Sequence, residues 1–423
     1  MKDTWQRDVP VFNVPIWTRP FKVLCGLAGL GLILVAYREV VGLGPASGMN
    51  DAYAWGIWKT FNTMVLTGLG SGAFAIGIAA WLFRRNQLHV VMRTAVLTSF
   101  LAYVFGLAML GVDVGRPWNF YWILAPWRWN LHSPLLEVAV CMTIYATIPL
   151  FLENIPPALE YVYEQWPNLR PGVEKAEKYF VKGLPWIVSL AYVLPAMHQS
   201  SLGALMLLGG TRVSPLWQTP FLPLLYVWAA AFLGFAFVSA TLLFCGVMWS
   251  RPLDVDILSE MSRINAWIIG TWLVFRIVDL SIRGQIVAAF RPNVDAGLFW
   301  AEMALLAVAF WMLRDSVIRR SPRTMFYGAL LATVGGMLYR FDPTTTAFQP
   351  KANALYFPSV IEILISVGFM SLGIAIFIFL AKVLAILPAP NRMWREMVAR
   401  QVESSRIKPP AIRTHVGGYV AGN

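Results

Sequence analysis

The chain has 423 residues, 58% hydrophobic and 13% charged, with a mean hydropathy of +0.60, values that exclude an ordinary soluble globular domain. A net charge of +12 would suit nucleic-acid binding in a soluble protein, but here Lys and Arg gather at the ends of apolar runs and in the tail after Leu387. Membrane lipid is therefore the predicted partner, and nucleic acid is not.

About 20 apolar residues cross the hydrocarbon core as a helix. Such runs are predicted at residues 21–41, 54–83, 94–115, 134–155, 184–208, 219–249, 264–290, 297–315, 325–341 and 357–387. The runs are continuous rather than alternating, so helices are expected and not a barrel. The predicted fold class is all-α: a polytopic integral membrane protein of about ten transmembrane helices, in packed four-helix bundles plus flanking helices. Residues 1–20 form an N-terminal segment, 21–387 a single transmembrane domain and 388–423 a C-terminal tail. The N-terminal stretch lacks a short apolar region closed by a cleavage site, so the first span is expected to remain as an anchor. Of the 34 Lys and Arg, 24 fall in the N-terminus and alternate loops, nine in the opposite loops, and one, Arg276, mid-helix. The positive-inside bias then predicts both termini cytoplasmic, in a bacterial inner membrane.

Along the chain, the segment Gly68-Leu69-Gly70-Ser71-Gly72 has the look of a phosphate loop but lies within an apolar run. Close helix packing is expected there, with room for an isoprenoid tail as the alternative. The external loops carry Arg116-Pro117-Trp118-Asn119-Phe120-Tyr121-Trp122 and Ala125-Pro126-Trp127-Arg128-Trp129. These aromatics suit either a belt at headgroup level or a docking face for an external partner. The polar stretch 156–183 mixes charges of both signs and predicts a short amphipathic surface helix.

Ionisable groups inside spans cost about 2.5–3.5 kcal/mol each on insertion scales, so each needs a partner or a purpose. Glu137, Glu302 and Glu362 lie about one turn inside the external ends of three spans, and Asp113 and Arg116 close another, which predicts one polar pocket near the periplasmic surface. Arg276, Asp279 and Arg283 share a helical face, as an internal charge pair or as substrate contacts. His198 follows Pro195, which can open a helix, and an imidazole can exchange a proton with a quinone head; a structural histidine is the alternative. Cys25, Cys141 and Cys245 show no paired spacing, and no metal site is predicted.

Several stretches resemble the NrfD-like family of quinone-interacting membrane subunits, within it the HybB-type subunits of periplasm-facing nickel-iron hydrogenases. They are Val112-Asp113-Val114-Gly115-Arg116, Leu136 through Tyr145, Met197-His198-Gln199-Ser200-Ser201, Pro215-Leu216-Trp217-Gln218, and Tyr356-Phe357-Pro358-Ser359 followed by Glu362. Related chains often continue the span-seven Arg with Phe-Gly-Glu, where this one has Ile277-Val278-Asp279. The resemblance implies menaquinone or ubiquinone as substrate, and neither haem nor an iron–sulfur cluster in this chain. It implies electrons from a periplasmic ferredoxin-like iron–sulfur subunit that serves the small and large subunits of a nickel-iron hydrogenase. It also matches Glu137 to a buried carboxylate for which proton movement has been proposed.

The expected site then lies between spans three, four, five and seven. Asp113, Arg116, Glu137, His198 and Arg276 are expected to bind the quinone, with Glu137, His198 and Asp113 catalytic. Proton transfer is expected of Glu137, Asp279, Glu302 and Glu362. The same role in a molybdopterin or multihaem cytochrome complex, or a secondary transporter using the buried charges, are the competing readings.

Overall fold

A computed structural model describes residues 15–50, 53, 56–249, 251, 254–350 and 356–388. The described residues are almost wholly helical and contain no named strand. In lipid only closed hydrogen-bonding satisfies the backbone, and apolar runs of this length meet that demand as helices. The spanning helices are α1 (Arg19–Val41), α2 (Trp58–Leu82), α3 (Asn86–Asp113), α4 (Pro134–Gln165) and α5 (Pro167–Leu207), then α6 (Leu222–Met248), α7 (Val255–Ile282), α8 (Val294–Arg314), α9 (Pro322–Phe341) and α10 (Val360–Val383).

Nine of these are long and apolar enough to cross a membrane. The exception is α9, whose Arg323 and Arg340 dilute its hydropathy; its 20 residues nonetheless reach about 30 Å. It packs along α6 and α8 and returns the chain from the end of α8 to the start of α10, completing the ten long helices named among the described residues.

Local chemistry sets the helix starts. Thr18, Asp254 and Asn293 accept hydrogen bonds from the third residue onward, and Ser359 with Glu362 forms a capping box. Helices α2–α5 and α6–α9 form two four-helix groups joined through α2, α5 and α6, while α1 and α10 pair with each other and flank α3. The polar stretch 156–183 is helical: α4 turns at Asn154 and runs on to Gln165, and the first part of α5 supplies the rest. An ion pair between Arg93 and Glu160 ties that extension to α3.

One local expectation changes. Helix α5 runs unbroken through Pro185 and Pro195, so no opening precedes His198. Helix α2 is irregular, built from π-helical Trp58–Val65 and Ile78–Leu82 around a turn at Gly70 and Ser71, and α4 carries a π-helical stretch at Ala146–Leu150. The α2 glycines serve close packing: a Cβ at Gly72 would stand 2.5 Å from the Val238 side chain, and one at Gly234 2.6 Å from the Gly72 nitrogen.

Candidate functional site

The chain alternates direction at each crossing, so Arg38, Lys59, Asp113, Glu137, Arg276, Glu302, Arg340, Asp342 and Glu362 all lie toward one end of the bundle, called the Asp113 end. They do not share one pocket. Two buried groups form, with Glu137 and Arg116 outside both.

The first group joins α1, α2, α3 and α10. Asp113 is buried and takes an ion pair from Lys59 at 3.1 Å. Buried Arg38 donates to the Val114 carbonyl at 2.7 Å and pairs with Glu39. Glu362 is fully buried; its carboxylate accepts from the Gly48 and Ser359 amides at 2.7 and 2.8 Å and from the Tyr356 hydroxyl at 2.8 Å. A carboxylate with this many donors holds loop and helix together.

The second group is a belt through the middle of the molecule, from α5 to α8. At one end, His198 is fully buried, with Nδ1 3.0 Å from the Val138 carbonyl and Nε2 bonded to no group among the described residues. A carbonyl only accepts, so Nδ1 carries the proton and Nε2 presents a lone pair. Its ring lies 5.3 Å from that of Tyr103, whose hydroxyl accepts from Gln199 at 3.2 Å. Gln199 also reaches Thr67 at 3.3 Å. Beside Thr67, Gly68 faces the guanidinium of Arg340. Arg340 donates to the carbonyls of Met64 (2.7 Å) and Tyr226 (2.9 Å) and lies over the Tyr226 ring.

From there Tyr226 and Tyr339, with ring centroids 5.6 Å apart, lead to Arg276, whose guanidinium lies 5.3–5.6 Å from the rings of Tyr339, Trp272 and Phe299. Arg276 donates to the Leu216 carbonyl at 3.2 Å and stands 3.9 Å from Glu302. Glu302 accepts from the Trp217 indole at 2.9 Å, and buried Asp342 accepts from Thr346 at 2.6 Å. Arg276, Glu302 and Arg340 are each completely buried. Burying three such charges is costly unless they are paired or solvated by polar groups, and rings, carbonyls and carboxylates do this here.

The chain matches the family described as "Polysulphide reductase, NrfD" over residues 45–342. It belongs to the NrfD family. This NrfD-family chain is 32% identical over 88% of its length, and 93% of the relative's, to the "Probable Ni/Fe-hydrogenase 2 b-type cytochrome subunit" of Escherichia coli (strain K12). It is 27% identical to the "Menaquinone reductase, integral membrane subunit" of Nitratidesulfovibrio vulgaris, over 75% of this chain and 78% of that one.

The cytochrome name of the first relative raises haem, whose iron takes two imidazoles in a bis-histidine centre. The described imidazoles do not fit one. His89 packs edge-on to Trp81, and the 14 residues from His89 to Tyr103 span about 21 Å of helix, so His89 lies far from His198. His132 is exposed, and His415 lies outside the described residues, as does the tail after residue 388.

For this NrfD-family chain, the expectation of a single periplasmic pocket is corrected. Asp113 follows Tyr103 by ten residues, about 15 Å along α3, and so does not meet the imidazole of His198. Arg116 is exposed at the start of the loop after α3. Glu137, expected inside the bundle, is exposed in the first turn of α4, because α4 turns Val138 inward at that level. Asp279 is buried, pairs with partly buried Arg283 at 2.8 Å and accepts from Thr219 at 2.9 Å, which makes that pair a clamp between the start of α6 and the end of α7 and leaves Arg276 to Glu302.

Arg340, Asp342 and Lys59 escaped the sequence reading, which put Arg276 alone among basic residues mid-helix, and Gln199 and Trp217 entered it only as part of the resemblance, without a role of their own. The available signal was Gly68 on another span: a small residue admits a large buried side chain, here that of Arg340.

Proposed function

We propose that this chain is the quinone-reactive membrane subunit of a respiratory oxidoreductase, passing electrons from a periplasmic iron–sulfur subunit to menaquinone or ubiquinone. Hydrogen oxidised by nickel-iron hydrogenase subunits is the source, a reading supported by family membership and by the long alignment with the hydrogenase relative. The observation that carries the chemistry is His198, with Nδ1 held by Val138 and Nε2 bonded to no group among the described residues of a lipid-embedded bundle.

Quinone takes two electrons and two protons to become quinol. Protonated at Nε2, His198 donates to a quinone carbonyl oxygen; neutral, it accepts from the quinol hydroxyl. The Tyr103–Gln199–Arg340–Tyr226–Tyr339–Arg276–Glu302 belt supplies polar groups for proton exchange across the bundle. Glu137, exposed next to the residue that holds His198, suits proton uptake from outside the bundle. Asp279 and Glu362, tied by Arg283 and by the capping box, suit structural roles better than proton transfer. Exposed Trp118, Tyr121, Trp127 and Leu131 in the loop after α3 suit docking of the electron donor.

The test is hydrogen-dependent reduction of a menaquinone analogue by the intact complex purified in mild detergent. His198→Ala should lower turnover by about 100-fold or more, and Trp127→Ala should reduce recovery of the iron–sulfur subunit. Full turnover in the His198 variant would overturn the site, and purification without any redox subunit would overturn the complex. The menaquinone reductase relative favours the same quinone role in another complex, which the identity of the co-purified subunits decides.

A further inference from the structure

At the end of the bundle opposite Asp113, a groove of about 480 Å³ opens on the outer face between α6 and α7. Its lining is Arg85, Trp228, Arg263, Ile264, Trp267, Ile268 and Thr271. The α7 residues recur at positions i, i+1, i+4, i+5 and i+8, one face of the helix. From Arg263 to Thr271 the groove follows α7 for about 12 Å toward the membrane interior.

The lining is polarised along that length. At its outer end one carboxylate, Glu260, lies 3.6 Å from Arg85 and 2.6 Å from Arg263, drawing the two guanidiniums together and leaving a net positive charge. Both side chains keep substantial exposure, at 50% and 39%. Deeper in, Trp228 donates its indole N–H to the Ile268 carbonyl at 3.2 Å and so forms the floor between the helices. Trp267 forms an apolar wall, 61% exposed and edge-on to Phe310.

We propose that this groove binds one anionic phospholipid, its phosphodiester on Arg85 and Arg263 and an acyl chain along Ile264, Trp267, Ile268 and Thr271. Charge complementarity and location select the occupant. The groove faces outward from spanning helices, where the neighbouring medium is lipid, and paired cations at the headgroup level of an apolar cleft recognise anionic heads. Thr271 returns its own hydroxyl to the Trp267 carbonyl at 2.7 Å, so it presents its methyl and no competing donor to the chain. The proposal is independent of the quinone reading, because none of these residues belongs to the belt or to the Asp113 group.

The experiment is native mass spectrometry of the purified, delipidated complex titrated with phosphatidylglycerol, or with phosphatidylcholine of matched chains. One site should bind phosphatidylglycerol about tenfold or more tightly, since each cation near an anionic surface contributes about a factor of five. Arg85→Gln with Arg263→Gln should erase the preference, while Arg85→Lys with Arg263→Lys should keep most of it. Thr271→Trp fills the deep end with the guanidiniums intact and should weaken both lipids. Equal binding of the two lipids, an undiminished preference in the Gln pair, or full displacement of lipid by millimolar inorganic phosphate would each overturn the proposal. Should the Gln pair not fold, the two-lipid comparison and Thr271→Trp still decide.

Discussion

The guanidinium of Arg340 occupies the space that a side chain at Gly68 would take: a Cβ there would stand 2.9 Å from Arg340 Cζ and Nε. A missing methyl on α2 thus admits a cation from α9 into the centre of the molecule, where two backbone carbonyls hold it.

Gly68→Ala should therefore destabilise the protein by about 1–3 kcal/mol, because the guanidinium must shift away from its two acceptors. Gly234→Ala should cost more, since its Cβ would meet the backbone of Ser71 and Gly72, which cannot rotate aside as a side chain can. Thermal melting in detergent measures both. A Gly234 variant that melts at or above the Gly68 variant would contradict this account of the packing.

Arg276 and Glu302 should behave as a coupled pair. Replacing either one with Leu strands the other charge in the interior and should cost about 3–5 kcal/mol, whereas the double Leu variant should cost well under the sum. The double-mutant cycle is read from unfolding in detergent. Simple additivity would mean that the 3.9 Å approach carries no interaction.

Glu137→Gln should leave melting within about 0.5 kcal/mol of the parent, because the side chain is exposed and makes no ion pair among the described residues. Hydrogen-dependent quinone reduction should nevertheless be abolished in the intact complex. Full retained turnover would remove Glu137 from the proton route.

The pair Lys59–Asp113 should respond asymmetrically. Lys59 keeps 30% of its surface exposed and Asp113 only 1%. Lys59→Met leaves a buried carboxylate without its cation and should cost about 3 kcal/mol or more, while Asp113→Asn leaves an ammonium that water can still reach and should cost less. The order of the two melting temperatures is the readout.

Chain length and hydropathy carried the crossings, because burial in lipid makes every apolar run of 20 residues a helix regardless of its tertiary partners. Helix α9 was legible for the same reason despite its two arginines. The site was legible only in part. His198, Arg276 and Glu302 were identified as buried charges or imidazoles, and the fold does bury all three. Which neighbours they meet depends on helix rotation, which near-uniform hydrophobicity does not encode. Glu137 shows the difficulty: one position before inward-facing Val138, it faces out, and spacing along the chain cannot distinguish the two. Arg340 closes its predicted span and Asp342 follows it, a place where side chains commonly turn toward the interface, yet the close approach of Gly68 draws Arg340 inside.

The pairing of α1 with α10 has a bearing on biogenesis. Helix α1 packs chiefly against α10, with Gly31 and Gly368 so close that a Cβ on either would stand within 2.7 Å of the other's Cα. During synthesis α1 therefore enters the bilayer more than 300 residues before its partner α10 is made. Until then its flank is open to lipid or to the insertion machinery. The molecule closes only once α10 has been made, so a truncation before Val360 should strand α1 and expose the unfinished bundle to membrane proteolysis.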